Sequence, residues 1–274
     1  MAIKSRGKVL LIKWIKILIF TYTIVGLGLY FLQDKFLFHP TKLEGSYKYK
    51  FDIPFKEVAI PYKEKDTISL VKFTTDNKIK KGIVLYFHGN MENINHYETF
   101  ATPFTKNGYD VWMPDYPSFG KSTGTISEEN LLEEANFIFK KLSENINTDS
   151  VIIYGKSLGT GIAANVASNN NVKMLILETP YFSIPSLYNV YAFMYPTKIL
   201  SKYNIPTHEY LQKIKYPITI FHGTSDGVIP YENAKRLEQF LKPTDKFITV
   251  PNATHINING TKIYFVELDS LLKK

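Results

Sequence analysis

Val151-Ile152-Ile153-Tyr154-Gly155-Lys156-Ser157-Leu158-Gly159-Thr160-Gly161-Ile162-Ala163-Ala164 decides how this chain folds. An apolar β-type run enters G-x-S-x-G, and a run of small residues with helical character leaves it. A G-x-S-x-G set between a strand and a helix reads as a nucleophile elbow, a turn so tight that the positions flanking the serine must be small. The serine backbone is strained there, its Oγ stands clear of the sheet, and the first N–H groups of the next helix point at whatever binds. The chemistry this implies is nucleophilic acyl transfer at Ser157. A phosphate loop does not fit. That pattern needs a glycine five residues before its second glycine, and Ser150 stands there. Gly120-Lys121-Ser122 fails for the same reason, with Asp115 at the corresponding place.

Outward from the elbow, strand and helix patterns alternate. Gly82 to Phe87 (GIVLYF) is a continuous apolar run typical of a strand buried on both faces, and it ends in His88-Gly89-Asn90-Met91. Glu57 to Ile60 and Ile68 to Phe73 read as an antiparallel pair before it. A helix over Tyr97 to Lys106 and a strand over Asp110 to Met113 come after it. Thr125-x-x-Glu128 reads as a capping box opening a helix whose apolar positions Leu131, Leu132, Ala135, Ile138, Phe139 and Leu142 have helical spacing. Downstream, Met174 to Glu178, Ile218 to Phe221 and Phe247 to Val250 read as strands, and Glu232 to Leu241 and Thr261 to Leu272 as helices. The pattern predicts an α/β fold with a mostly parallel central sheet and helices on both faces. The segment between Pro180 and Pro217 is too long for a simple loop and is rich in Tyr and Phe. It is expected to form a small cap, at about 181–214, over the strand C-termini and the serine, either as an acyl-binding lid or as ordinary packing.

The chain has 274 residues, a net charge of +8 and no cysteine. The missing cysteine excludes disulfides, a thiol nucleophile and thiolate metal sites. Lys4, Arg6, Lys8, Lys13 and Lys16 precede the first acid, Asp34, and leave only +3 for the rest. The basicity is therefore a feature of the tail and does not point to nucleic acid. Ile17 to Gln33 carries no charge. With Lys13 and Lys16 snorkelling, the apolar stretch extends back toward Val9, long enough for a transmembrane helix. Its basic flank is N-terminal, which puts the N-terminus in the cytoplasm and the rest of the chain across the membrane. No A-x-A cleavage site follows, so a retained anchor is expected in preference to a cleaved signal. The expected organisation is 1–33 basic N-terminus and anchor, 34–54 connector, and 55–274 catalytic domain.

A serine hydroxyl needs a base, and the base needs an acid to orient it. On a sheet of this kind the partners follow the serine in the order acid, then histidine. Of the histidines after Ser157, His222 sits at a strand end before Gly223 in a packing position, and His208 precedes the candidate acid. His255, in the loop after the last strand, remains. Asp226, just beyond the strand ending at Phe221, is the chosen acid, the alternative being a simple Asx turn with Gly227. Asp245 enters the last strand from the opposite edge of the sheet, and Glu232 opens a helix. The oxyanion donors are expected to be the N–H of Leu158 and an N–H of the His88–Met91 loop, that of Asn90 or its rival Met91. His88 is expected to order that loop, and His39 is given no role.

Several motifs occur together in one order: Phe38-His39-Pro40, Leu85-Tyr86-Phe87-His88-Gly89-Asn90, Asp115-Tyr116-Pro117-Ser118-Phe119-Gly120-Lys121-Ser122, the elbow, and His222-Gly223-Thr224-Ser225-Asp226. From about Phe55 onward the chain resembles the α/β-hydrolase superfamily. Within it, the chain is similar to single-span, membrane-anchored hydrolases related to a fungal bud-emergence protein and to eukaryotic protein depalmitoylases. The resemblance implies the α/β-hydrolase fold, Ser157, Asp226 and His255 as the triad, and no metal or organic cofactor. The depalmitoylase branch is held to its membrane by an acylated, cysteine-rich N-terminus. This chain has a transmembrane-type segment instead, which predicts the opposite membrane face and argues against depalmitoylation. The expected activity is hydrolysis of carboxylic esters, lipid-like esters and thioesters included. The alternatives are a serine peptidase of the same fold, with Glu178 or Glu209 as anchor for a peptide terminus, and a catalytically silent, membrane-tethered binding module.

Overall fold

The structure, a computed structural model, describes residues 2–273, with side chains described from Gly7 onward. The charges of Lys4 and Arg6 in the basic tail lie outside the described residues. Helix α1 (Ala2–Leu37) leads into β1 (His39–Pro40), β2 (Phe55–Tyr62), β3 (Asp66–Phe73), β4 (Gly82–Phe87) and β5 (Met91–Glu92). Then come α2 (Ile94–Tyr97), α3 (Thr102–Lys106), β6 (Tyr109–Pro114), α4 (Glu128–Ser143), β7 (Val151–Lys156), α5 (Leu158–Asn169) and β8 (Met174–Glu178). The cap helices α6 (Ile184–Tyr191), α7 (Thr197–Leu200) and α8 (Thr207–Leu211) follow. The chain closes with β9 (Ile218–Gly223), α9 (Tyr231–Lys235), β10 (Lys246–Val250) and α10 (Lys262–Leu272).

Eight strands form one sheet in the order β10-β9-β8-β7-β4-β6-β3-β2. Only the β2–β3 and β3–β6 pairs are antiparallel; the others are parallel. The apolar run of β4 splits by alternation. Ile83, Leu85 and Phe87 pack with α4, α5 and the cap on one face, and Val84 and Tyr86 pack with α3 and α10 on the other. After β4 the chain builds outward through β6, then returns across β4 to add β7 on the other side. The reversal between β4 and β7 opens a crevice beyond their C-terminal ends, the place where doubly wound sheets bind ligands. The loop His88–Asn90 leaves β4 there, and Ser157 leaves β7 there.

Two local expectations are corrected. The helix expected over Tyr97 to Lys106 is broken into α2, a 3-10 turn at Glu98–Ala101, and α3. Pro103, in the first turn of α3, has no N–H to carry a helix through from α2. The Thr125–Glu128 capping box does not form. Ser127 caps α4 by accepting from the Asn130 N–H at 3.1 Å. The Glu128 carboxylate turns to the backbone N–H groups of Asn204 and Ile205 and so ties α4 to the cap.

Helix α1 is 36 residues long, about 54 Å. Its stretch Gly7–Leu37 is long and apolar enough to cross a membrane. Most of its large apolar side chains are exposed. The segment 34–54 does more than connect. Strand β1 pairs with β5, His39 N–H donates to the Asn90 carbonyl at 2.9 Å, and Asn90 Nδ2 donates to the Leu37 carbonyl at 2.8 Å. Leu43 and Thr41 exchange backbone hydrogen bonds with Gly120. The segment therefore straps the loop after β4 to the loop after β6.

Candidate active site

Ser157 sits at the turn between β7 and α5 with φ 50° and ψ −118°, a strained conformation for a residue with a side chain. The geometry explains the bracketing glycines. A Cβ on Gly159 would overlap the Phe87 carbonyl, and one on Gly155 would fall against the Gly159 carbonyl and Ala163. The elbow is therefore pressed between β4 and its own helix. The Ser157 N–H donates to the Glu178 carbonyl at 2.9 Å, which pins the turn to β8.

The three side chains singled out in the sequence meet. His255 Nε2 lies 2.9 Å from Ser157 Oγ, and His255 Nδ1 lies 2.8 Å from Asp226 Oδ2. With His255 neutral and protonated on Nδ1, it donates to Asp226 and accepts from the serine hydroxyl. Asp226 also makes the Asx turn weighed as its alternative. Its Oδ1 accepts from the N–H groups of Val228 and Ile229, both at 2.8 Å. One carboxylate thus holds its own loop and orients the imidazole. Burial works to raise the Asp226 carboxyl. The hydrogen bond and charge of His255, with the Ile229 and Val228 N–H groups, outweigh burial and hold it below the usual range.

The other candidates fall away from the serine. Asp245 accepts from the Ile218 N–H at 3.0 Å at the opposite edge of the sheet. Glu232 lies in the first turn of α9. His208 stacks on Phe182, ring centroids 4.0 Å apart. Buried His222 donates from Nε2 to the Ile229 carbonyl at 2.9 Å, steadying the loop that holds Asp226. Burial, its largest influence, lowers the His222 pKa and keeps the ring neutral. Glu178 is wholly buried and pairs with Lys156 and Tyr154, and Glu209 lies exposed on α8. Neither lines the cavity that Ser157 lines.

Of the two donor candidates after β4, Met91 spends its N–H on the Tyr97 hydroxyl at 3.2 Å. The Asn90 and Leu158 residues line the same cavity as Ser157. Buried His88 donates from Nδ1 to the Gly89 carbonyl at 2.7 Å, and its own carbonyl accepts from the Tyr116 hydroxyl at 2.6 Å. It orders the loop from below.

That cavity, about 450 Å³, runs from Ser157 under the cap and along α1. Tyr181, Ile184, Leu187 and Tyr188 form its cap side, and Leu29, Phe36 and Leu37 of α1 its other side. Among the described residues no charged side chain lines it. Sequence reasoning missed the part played by α1 and by the strap. The one signal for the strap was Phe38-His39-Pro40, a motif with no role of its own until β1 is seen beside β5. Among the described residues no cluster of side chains suited to a metal is present.

Residues 78–208 match the hydrolase family described as serine aminopeptidase, S33. Protein bem46 of Schizosaccharomyces pombe is 25% identical over 250 residues, covering 85% of this chain and 83% of bem46. The uncharacterised YfhR of Escherichia coli is 24% identical over 189 residues, covering 66% of this chain; the chain spans 65% of YfhR. In fold the chain is similar to the Pyrococcus furiosus esterase Pf2001, with a TM-score of 0.66 at 17% identity, over 86% of this chain and 95% of that one. The chain has the α/β-hydrolase fold and is similar to bem46 and the proteins related to it.

Proposed function

We propose that the chain is a membrane-anchored serine hydrolase that cleaves esters or thioesters of apolar acyl groups through an acyl-enzyme on Ser157. The observation that carries this reading is the hydrogen-bonded relay from Ser157 through His255 to Asp226 at the end of an uncharged apolar cavity. Ser157 Oγ attacks the acyl carbonyl carbon as His255 Nε2 takes its proton. The ionised Asp226 stabilises the resulting imidazolium. The N–H groups of Leu158 and Asn90 receive the oxyanion. Collapse of the tetrahedral adduct breaks the bond to the alcohol or thiol, which leaves with the proton from His255. Water, activated by His255, then attacks the acyl-serine and releases the carboxylic acid and free Ser157.

The charge-free stretch of α1 from Ile17 to Gln33, with lysines on its N-terminal side, supports an N-terminus in the cytoplasm and a catalytic domain on the other side. The matched family's description favours an aminopeptidase as second reading. A free peptide N-terminus calls for a carboxylate near the serine, and among the described residues none lines the cavity, so the ester reading is preferred.

The test treats the full-length chain in detergent with a fluorophosphonate, beside Ser157→Ala and His255→Ala, and locates the adduct by mass spectrometry. The expected result is one adduct on Ser157, absent from both variants, with hydrolysis of acyl esters exceeding that of aminoacyl amides. A folded protein that takes no label would favour the silent binding module.

A further inference from the structure

Tyr22, Gly26, Leu29 and Gln33 lie on one face of α1 at helical spacing, and that face is docked on the cap. The rings of Tyr22 and Tyr195 stack with centroids 4.4 Å apart. The Tyr22 hydroxyl donates to the Met194 carbonyl at 2.9 Å, and the Tyr195 hydroxyl donates to the Tyr22 carbonyl at 3.1 Å. Gly26 makes room for Tyr195, whose ring would lie 3.1 Å from a Cβ there. Lower down, Gln33 bridges the Leu200 carbonyl at 3.1 Å and the Lys202 N–H at 2.7 Å, and the Tyr203 hydroxyl donates to Asp34 at 2.7 Å. The clasp therefore reaches from the foot of the helix to Tyr22, fifteen residues or about 22 Å up its axis.

That height matters because α1 is the segment suited to a membrane. The stretch of cap beside it, Ile184 to Pro196, contains no charged residue. Phe193 and Met194 at its tip are 75% and 67% exposed, which is costly in water and favourable in lipid. Lys202 on the cap pairs with Asp34 on α1 at 3.1 Å at the base, where a membrane surface would meet the domain. Between the two apolar walls runs the cavity that ends at Ser157, with Leu29 and Phe36 on the α1 side and Tyr191 and Tyr195 on the cap side.

We infer that α1 is a wall of the acyl pocket as well as an anchor. The pocket opens within the lipid leaflet, between α1 and the tip of the cap. The acyl chain of a bilayer-resident ester slides in along the Leu29 face of α1 and reaches Ser157 without crossing water. This rests on the acyl-hydrolase reading above and adds to it where the substrate comes from and which residues measure its chain.

The experiment uses the full-length protein in lipid nanodiscs. Because the chain has no cysteine, Phe193→Cys gives a single attachment point for a nitrobenzoxadiazole fluorophore. The expected result is a blue-shifted emission quenched by doxyl-labelled lipid, with exposed Glu129→Cys on α4 unquenched. A water-like spectrum at position 193 would overturn the embedded mouth. In parallel, Leu29→Trp is expected to shift the ratio of kcat/KM for hexadecanoyl over butanoyl p-nitrophenyl esters toward the short chain by about tenfold, roughly the worth of two buried methylenes. Leu27→Trp, at the same depth on the exposed opposite face, is expected to leave that ratio unchanged. Equal profiles for the two variants would overturn the wall. Fluorophosphonate labelling of Ser157 in each variant reads the hydrolase chemistry separately, and the fluorescence needs no turnover, so failure of one reading is not mistaken for failure of the other.

Discussion

Lys156, the residue before Ser157, is ion-paired with Glu178, its register neighbour across β7 and β8, in the interior of the protein. Glu178 is wholly buried, and the hydroxyls of Tyr154 and Tyr264 complete its hydrogen bonds. Its backbone carbonyl meanwhile holds the Ser157 N–H. Removing one partner of a buried pair strands a charge, at a cost of about 3–5 kcal/mol. Lys156→Met and Glu178→Gln are each expected to lose stability on this scale in chemical denaturation. The double variant is expected to lose clearly less than the sum. Additive losses would show that the pair is not coupled.

Asp226→Asn tests the division of labour within one side chain. The asparagine carbonyl oxygen can still accept from Val228 and Ile229, so the loop stays closed. Its amide then faces His255 Nδ1 and favours the tautomer with the proton on Nε2, which cannot take a proton from Ser157. The expected outcome is a folded protein with an unchanged melting temperature within a degree or two and kcat lower by about 10⁴. Loss of folding would mean that the carboxylate serves the loop first.

The elbow was legible because its constraints are local. Gly155 and Gly159 are required by contacts within a few residues and by β4 alone, and the order of acid and histidine follows from the sheet. The wall formed by α1 was not legible. Leu29 and Leu27 are the same residue type in the same apolar run, and only the docked cap distinguishes the face that lines the cavity from the exposed one. The cap of α4 was misread for a similar reason. Thr125 and Ser127 both offer a hydroxyl two residues apart, and the choice depended on Glu128 being claimed by the cap backbone.

The strap makes the Asn90 loop depend on the foot of α1. Asn90→Ala removes the hydrogen bond to the Leu37 carbonyl and leaves the backbone N–H in place. One such bond is worth about 1 kcal/mol. With the Asn90 N–H in the proposed oxyanion role, the expected effect is a drop in kcat of about five- to tenfold with KM little changed, because such a donor would serve the developing oxyanion more than the bound ester. An unchanged kcat would detach the strap from catalysis.

Glu134, on α4, is 4% exposed and faces the β2–β3 hairpin, with Tyr62 ending β2, Lys63 in the turn and Asp66 opening β3. Burial, with Asp66 adding to it and Lys63 opposing it, pushes its carboxyl up from 4.5 to about 8. The folded state therefore holds the proton more tightly than the unfolded chain. The stability this contributes is fully present below pH 4.5, is lost as the pH rises, and is gone once the pH passes 8. Glu134→Gln keeps the neutral shape and cannot ionise. The variant is expected to match the parent near pH 4.5 and to melt several degrees higher at pH 8.5. In a domain of this size each kcal/mol recovered is worth about 2–4 °C. Melting curves across that range decide the matter, since a parent and variant that run parallel would mean that Glu134 ionises freely in the folded protein.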